Sequence, residues 1–154
     1  TGELDVSLRQ NSIRHLSVRD DGLVAAGMQW NGPDFEYPPL VMTHSLGAQP
    51  NLMAATPNQH RMMQGYIGSI AFVGSNGLIG ATSPRGGRLH LFDPETNDFV
   101  ALLEVEDVCG FATAQAGTTI VTSGTGLSGQ LIGLELSGLR GTTWQWDNHV
   151  VTVG

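Results

Sequence analysis

The sequence predicts an all-β protein built as a β-propeller, about three four-stranded blades with one short helix in an inter-blade loop. Three observations predict it. Short apolar runs alternate with glycine-containing turns along the whole chain, one hairpin pattern recurs at nearly blade-length spacing, and the composition suits strands and turns. Among 154 residues, 40% are hydrophobic, which is enough for a core, and only 14% are charged, against about a quarter in ordinary domains. The 21 glycines favour turns over long amphipathic helices.

The hairpin pattern is clearest at its turns. Ile13–Val18 leads through Asp20-Asp21-Gly22 into Leu23–Gln29, and Asp-Gly between two apolar runs is a strong hairpin signal because glycine tolerates positive φ. The same arrangement returns as Ile67–Val73, Ser75-Asn76-Gly77 and Leu78–Thr82, then as Gly110–Ala114, Gln115-Ala116-Gly117 and Thr118–Thr122. Aligned on Gly22, Gly77 and Gly117, the copies stand 55 and 40 residues apart. A four-stranded propeller blade takes about 40–45.

Each copy is then extended to a blade. The middle one continues through Arg88–Phe92, the turn Asp93–Asn97 and Phe99–Val105, giving a blade over 66–106. The third continues through Gln130–Leu136 and a short strand near Thr142–Trp146, giving 107–147. The first, 11–50, carries the excess length: a loop at Asn31–Pro39, marked by its prolines and glycine, and a short helix within Asn51–Gln64. His149–Val153 reads as a terminal strand, 149–153, completing a blade. Three blades do not close a ring, since known propellers have about four or more. The segment 1–154 is therefore expected to be the C-terminal part of a propeller domain, with seven blades in the ring. The remaining blades would come from preceding chain or from another copy.

Charge narrows the partners. The net charge is -7, and the seven basic residues are all arginines, scattered along the chain. No stripe neutralises a run of phosphates, so nucleic acid is a poor partner. No apolar run approaches the ~20 residues that span a bilayer, and the start at Thr1 is expected to be that of a processed chain or of a piece of a longer one. The single Cys109 excludes an internal disulfide.

Several stretches resemble one known family. They are Ser12-Ile13-Arg14-His15-Leu16, Gly68-Ser69-Ile70-Ala71, Ala81-Thr82-Ser83-Pro84-Arg85-Gly86-Gly87, Asp107-Val108-Cys109-Gly110, Thr122-Ser123-Gly124 and Trp146-Asp147-Asn148-His149. In this order they resemble the bacterial domain-of-unknown-function family fifteen-thirteen, in its C-terminal half. The resemblance implies a propeller exported by the twin-arginine route to the periplasm, encoded near imelysin-type iron-uptake proteins. It implies a protein partner in an iron-uptake system, or a small ligand. It assigns no activity and no cofactor.

The residues offer three chemistries. In a propeller the first strand of each blade lines the central channel, so Arg14 and His15, Ser69, and Asp107 with Cys109 are expected near one axial funnel. Arg85, in a Pro-Arg-Gly-Gly turn, is expected at a rim. For ligand binding the candidates are Arg14, His15, Arg85 and Asn148, with guanidinium forks suited to carboxylates; the competing reading is an arginine that bonds carbonyls of a neighbouring blade. For metal the candidates are His15, Cys109 and His149, completed by Asp147, although no short ligand spacing links them, and a buried thiol with two hydrogen-bonded histidines is the plainer reading. For catalysis the candidates are Asp147 and His149 as an acid–base pair, with Cys109 or Ser123 as nucleophile. No nucleophile elbow surrounds Ser123, and Asp147-Asn148 also suit a turn. The methionines Met53, Met62 and Met63 are expected to fill core gaps, and Trp144 and Trp146 to pack between blades. Binding module, enzyme and metal carrier thus remain three readings, the first leading for want of a strong catalytic motif.

Overall fold

In the computed structural model, residues 4–74, 77–114, 116–147 and 150 are described. After a 3-10 turn at Val6–Leu8, twelve strands form three four-stranded antiparallel sheets, each a meander whose strands neighbour one another in chain order. The first sheet holds β1 (Asn11–Val18), β2 (Val24–Trp30), β3 (Val41–His44) and β4 (Asn51–Leu52). The second holds β5 (Ser69–Phe72), β6 (Ile79–Ser83), β7 (Arg88–Asp93) and β8 (Asp98–Glu104). The third holds β9 (Val108–Thr113), β10 (Thr119–Ser123), β11 (Leu127–Ile132) and β12 (Glu135–Gly141). The first strands β1, β5 and β9 lie side by side. This is the radial stacking of propeller blades.

The turn chemistry explains the repeat. Gly22, Gly77 and Gly117, the residues on which the three copies align, all adopt positive φ, +87°, +70° and +79°. A side chain there would strain the tight β1–β2, β5–β6 and β9–β10 connections.

Two apolar layers join the sheets. Met28, Met42, Met53, Met63, Ile67 and Phe92 belong to the first, between sheets one and two; Leu89, Leu91, Val108, Phe111, Val121 and Leu131 belong to the second, between sheets two and three. Alternation on β7 divides its side chains, Leu89 and Leu91 going to one layer and Phe92 to the other, as the two-residue period of a strand dictates. The middle sheet is buried through β5, β6 and β7, each fully buried aliphatic contributing about 1.5–3 kcal/mol. On the end sheets, Ile13, Leu16 and Val18 of β1 and Leu139 of β12 stay exposed. Close approach needs small residues too: a Cβ on Gly80 would meet the ring of Phe111.

Hydroxyl groups tie the second sheet to the third. Ser69 donates to the Phe111 carbonyl at 3.1 Å, Thr82 to the Cys109 carbonyl at 2.8 Å, and Thr113 to the Phe72 carbonyl at 2.6 Å. Much of the motif set therefore builds the interface between blades. Asp107 lies against Gly124, and the Cys109 thiol is 3.7 Å from the Thr122 carbonyl.

Three local expectations are corrected. The helix α1 is shorter than expected, Pro57–Met62, because Asn51 and Leu52 pair with β3 as its edge strand. A capping box sets its start: Thr56 Oγ1 accepts from Gln59 N, and the Gln59 side chain accepts from Thr56 N at 2.7 Å. Gln64 and Gly65, both at positive φ, end the turn that follows it. In the third sheet, Gln130–Leu136 is not one strand but a hairpin, because Gly133 adopts φ +62° and turns the chain from β11 into β12. The fourth strand consequently falls at Glu135–Gly141, and residues 142–147 leave the sheet. Trp144 and Trp146 follow that segment outward and are 72% and 39% exposed rather than packed between blades. The expected terminal strand 149–153 lies outside the described residues, Val150 excepted.

Candidate functional site

The sequence-selected residues are distributed over three places. The first is a groove of about 370 Å³ along the inner strands, lined by Arg14, His15, Ser17, Ser69, Phe111 and Thr113 among others. A β-bulge between Ile13 and His15 inserts Arg14 into β1, and such insertions re-aim side chains. Arg14 is exposed and His15 half-buried. The Ser69 hydroxyl is already committed to the Phe111 carbonyl.

The second place surrounds Cys109. Cys109 is 3% exposed, and its thiol donates to the Trp146 carbonyl at 3.2 Å. Burial pushes the thiol pKa up, and the Asp107 and Asp147 carboxylates push in the same direction, against hydrogen bonds to the sulfur from the Gly110 backbone and the Thr122 side chain that lower it. A nucleophile or metal ligand needs the thiolate, so this environment works against both roles. Asp147 is exposed, its carbonyl over Gly110. Asn148 and His149 lie outside the described residues, so the proposed acid–base pair and metal set are incomplete here. Ser123 is buried at the end of β10, its Oγ 2.7 Å from Thr125 Oγ1 and accepting from Leu127 N at 3.2 Å. Among the described residues, no group of three or more His, Cys, Asp and Glu side chains is gathered to hold a metal ion.

The third place is a rim cavity of about 580 Å³, made where the first and second sheets meet. The loop after β2 forms one wall with Asp34, Phe35, Glu36 and Tyr37; α1 and the residues after it contribute Arg61 and Gln64; the β6–β7 turn contributes Arg85. Backbone bonds hold these segments together. Trp30 N donates to the Gly65 carbonyl and Met28 N to the Leu40 carbonyl, both at 2.9 Å. Trp30 Nε1 reaches the Pro33 carbonyl at 3.1 Å, which fixes the base of the loop.

Arg85 is placed by its own motif. Gly86 packs so close that a Cβ there would meet the Met62 carbonyl. Ser83 Oγ donates to the Met63 carbonyl at 2.6 Å and accepts from Gly86 N at 3.2 Å. The turn is thereby docked on the end of α1, and the Arg85 guanidinium sits 5.1 Å above the Tyr66 ring. Neither Arg85 nor Arg61 forms an ion pair among the described residues, whereas Arg19 bonds Asp21 and Glu95 and Arg88 bonds Glu104. Arg19, which the sequence reading did not single out, links the first sheet to the second through the Glu95 carboxylate and also lies 5.5 Å over Phe72.

One axial funnel does not collect these residues. Arg14, His15 and Ser69 share the inner groove, but Arg85 stands at the rim cavity and Cys109 in the interior between strands. Sequence reasoning missed Arg61, Asp34, Glu36 and Tyr66. The available signal was the excess length of the first copy, which supplies the loop and helix that wall the cavity.

The fold has clear relatives. A catalytically inactive variant of virginiamycin B lyase from Staphylococcus aureus, solved with quinupristin, superposes at TM-score 0.61 with 10% identity over 93% of this chain. Selenomethionine-substituted virginiamycin B lyase from the same organism gives 0.64, also at 10% identity, over 92%. In both, the match covers 45% of the relative, so this chain spans less than half their length. At that identity the likeness shows the β-propeller-like fold alone. No curated protein matches the sequence. The model of one family, the proteins of unknown function DUF1513, matches residues 1–153, and the chain belongs to that family.

Proposed function

We propose that the chain is part of a non-catalytic binding propeller whose rim cavity captures a ligand through Arg85 and Arg61. The observation that carries this reading is the pair of cationic side chains, without ion-pair partners among the described residues, that face one cavity between two blades. Arg85 is pre-oriented by the Tyr66 ring and by a turn docked on α1. Pre-orientation lowers the ordering cost of binding. A cavity of about 580 Å³ is within the range of small-ligand pockets.

The enzymatic reading has less support. It requires an ionised Cys109 or an activated Ser123; the thiol is buried with its pKa raised, and the hydroxyl is a turn acceptor. Placement in the periplasm and service to an iron-uptake system extend the proposal on the strength of the family resemblance.

The test is a thermal-shift screen of the intact protein against small carboxylates, phosphates and peptides. A ligand at 100 times its Kd adds about 2.7 kcal/mol. The expected result is at least one ligand whose shift disappears in Arg85→Ala and Arg61→Ala. Shifts that survive both substitutions would place binding elsewhere and overturn the reading.

A further inference from the structure

We infer that the ligand of the rim cavity is a short zwitterionic peptide, its carboxylate end held by Arg85 and Arg61 and its amine by Asp34 and Glu36. This rests on the binding reading above and adds the ligand class.

The charges are the first argument. Two guanidiniums and two carboxylates line the same cavity, yet none of the four pairs with another among the described residues. They also come from separate segments of the chain. Both carboxylates come from the loop after β2, while the guanidiniums come from α1 and the β6–β7 turn. A site for a simple anion gains nothing from two carboxylates in its wall, because like charges facing a ligand cost affinity. A ligand with opposite charges at its two ends satisfies both sets. Guanidinium suits the carboxylate end, offering a planar fork of donors.

Shape and apolar surface are the second argument. Phe35 is 80% exposed and Tyr37 is 37% exposed. Both line the rim cavity, and both also line an adjoining one of about 460 Å³ that shares Arg61. The two spaces share Phe35, Tyr37 and Arg61 and so adjoin as one larger site with both aromatic and charged walls. An extended chain with apolar side chains fits that layout better than a single amino acid does. Gln64, held at φ +46°, also faces the cavity, a conformation that costs free energy and recurs at ligand sites.

Calorimetric titration of the intact protein tests the inference with phenylalanine mono-, di- and tripeptides, each free, N-acetylated or C-amidated. The expected result is binding of at least one free peptide, weakened tenfold or more by either blocking group. Arg85→Ala should erase the difference between free and amidated peptide, and the double variant Asp34→Asn, Glu36→Gln the difference between free and acetylated peptide. All three changes are at exposed positions. If acetylated peptide binds as tightly as free peptide, the site takes a simple anion: the inference fails and the binding reading stands. The inference also fails, with the binding reading intact, if no peptide binds while another ligand gives an Arg85-dependent thermal shift. If no ligand of either experiment binds, both fail.

Discussion

The Arg85 guanidinium lies 5.1 Å above the Tyr66 ring and lines a cavity whose walls come from segments of both the first and the second sheet. An exposed cation–π contact contributes about 0.5–1 kcal/mol, so its first use is positional. Arg85→Ala should therefore lower the unfolding free energy only slightly, by less than about 1 kcal/mol, while weakening ligand capture tenfold or more. Arg85→Lys keeps the charge and loses the planar fork, and should fall between the two. Titration and urea unfolding on the same samples check this. Equal affinity in all three forms would remove Arg85 from the site.

Gly86 fixes where Arg85 stands. A Cβ at this buried position would strike the Met62 carbonyl, which is backbone and yields little. Gly86→Ala should cost about 1–3 kcal/mol, the usual range for overpacking, and should weaken ligand binding by shifting the turn. Gly141→Ala is the control, since open space surrounds that position, and its effect should stay within about 0.5 kcal/mol. Unfolding curves that place the two variants together would contradict the docked-turn geometry.

The blades were legible because their signals are local: period-two alternation and a glycine at each hairpin turn. Gly133 turned an apparent single strand at Gln130–Leu136 into a hairpin because the apolar run continues through the turn and hides it. The site was less legible. Arg85 could be assigned to a rim from its turn, but its neighbour Tyr66 and the facing Asp34 and Glu36 are brought in by loop closure between sheets, which no spacing encodes. Cys109 looked chemically active as an isolated residue; its carbonyl and thiol turn out to serve packing, accepting from Thr82 and donating to Trp146.

The Thr82 bond should contribute measurably to stability. Its hydroxyl, in a residue 0% exposed, crosses from β6 to the Cys109 carbonyl at 2.8 Å. Thr82→Val keeps the shape but leaves the carbonyl without this donor in an interior site, which costs about 1–3 kcal/mol. Thr82→Ser restores the donor and loses only a methyl group, so it should recover most of the loss. Urea midpoints of the three proteins check the order. Valine as stable as threonine would show that the bond does not couple the two sheets.

His90 makes stability depend on acid. It is fully buried on β7, and both ring nitrogens lack a hydrogen-bond partner. Burial, with the nearby Arg88 and His60 charges, pushes its pKa from 6.5 down to about 4, against smaller opposing contributions from the Ala81 and Arg88 backbone. The folded state thus resists a proton that the unfolded chain accepts below pH 6.5. Stability from this group is complete above that value and is lost as pH falls from 6.5 toward 4. A depression of this size corresponds to roughly 2–3 kcal/mol at pH 4.5. His90→Leu removes the titrating ring, so the variant should lose less stability than the parent between pH 7 and pH 4.5. Carboxylates titrate in both proteins, so the difference between them reports His90. Parallel losses across that range would show that His90 gains its proton without cost to the fold.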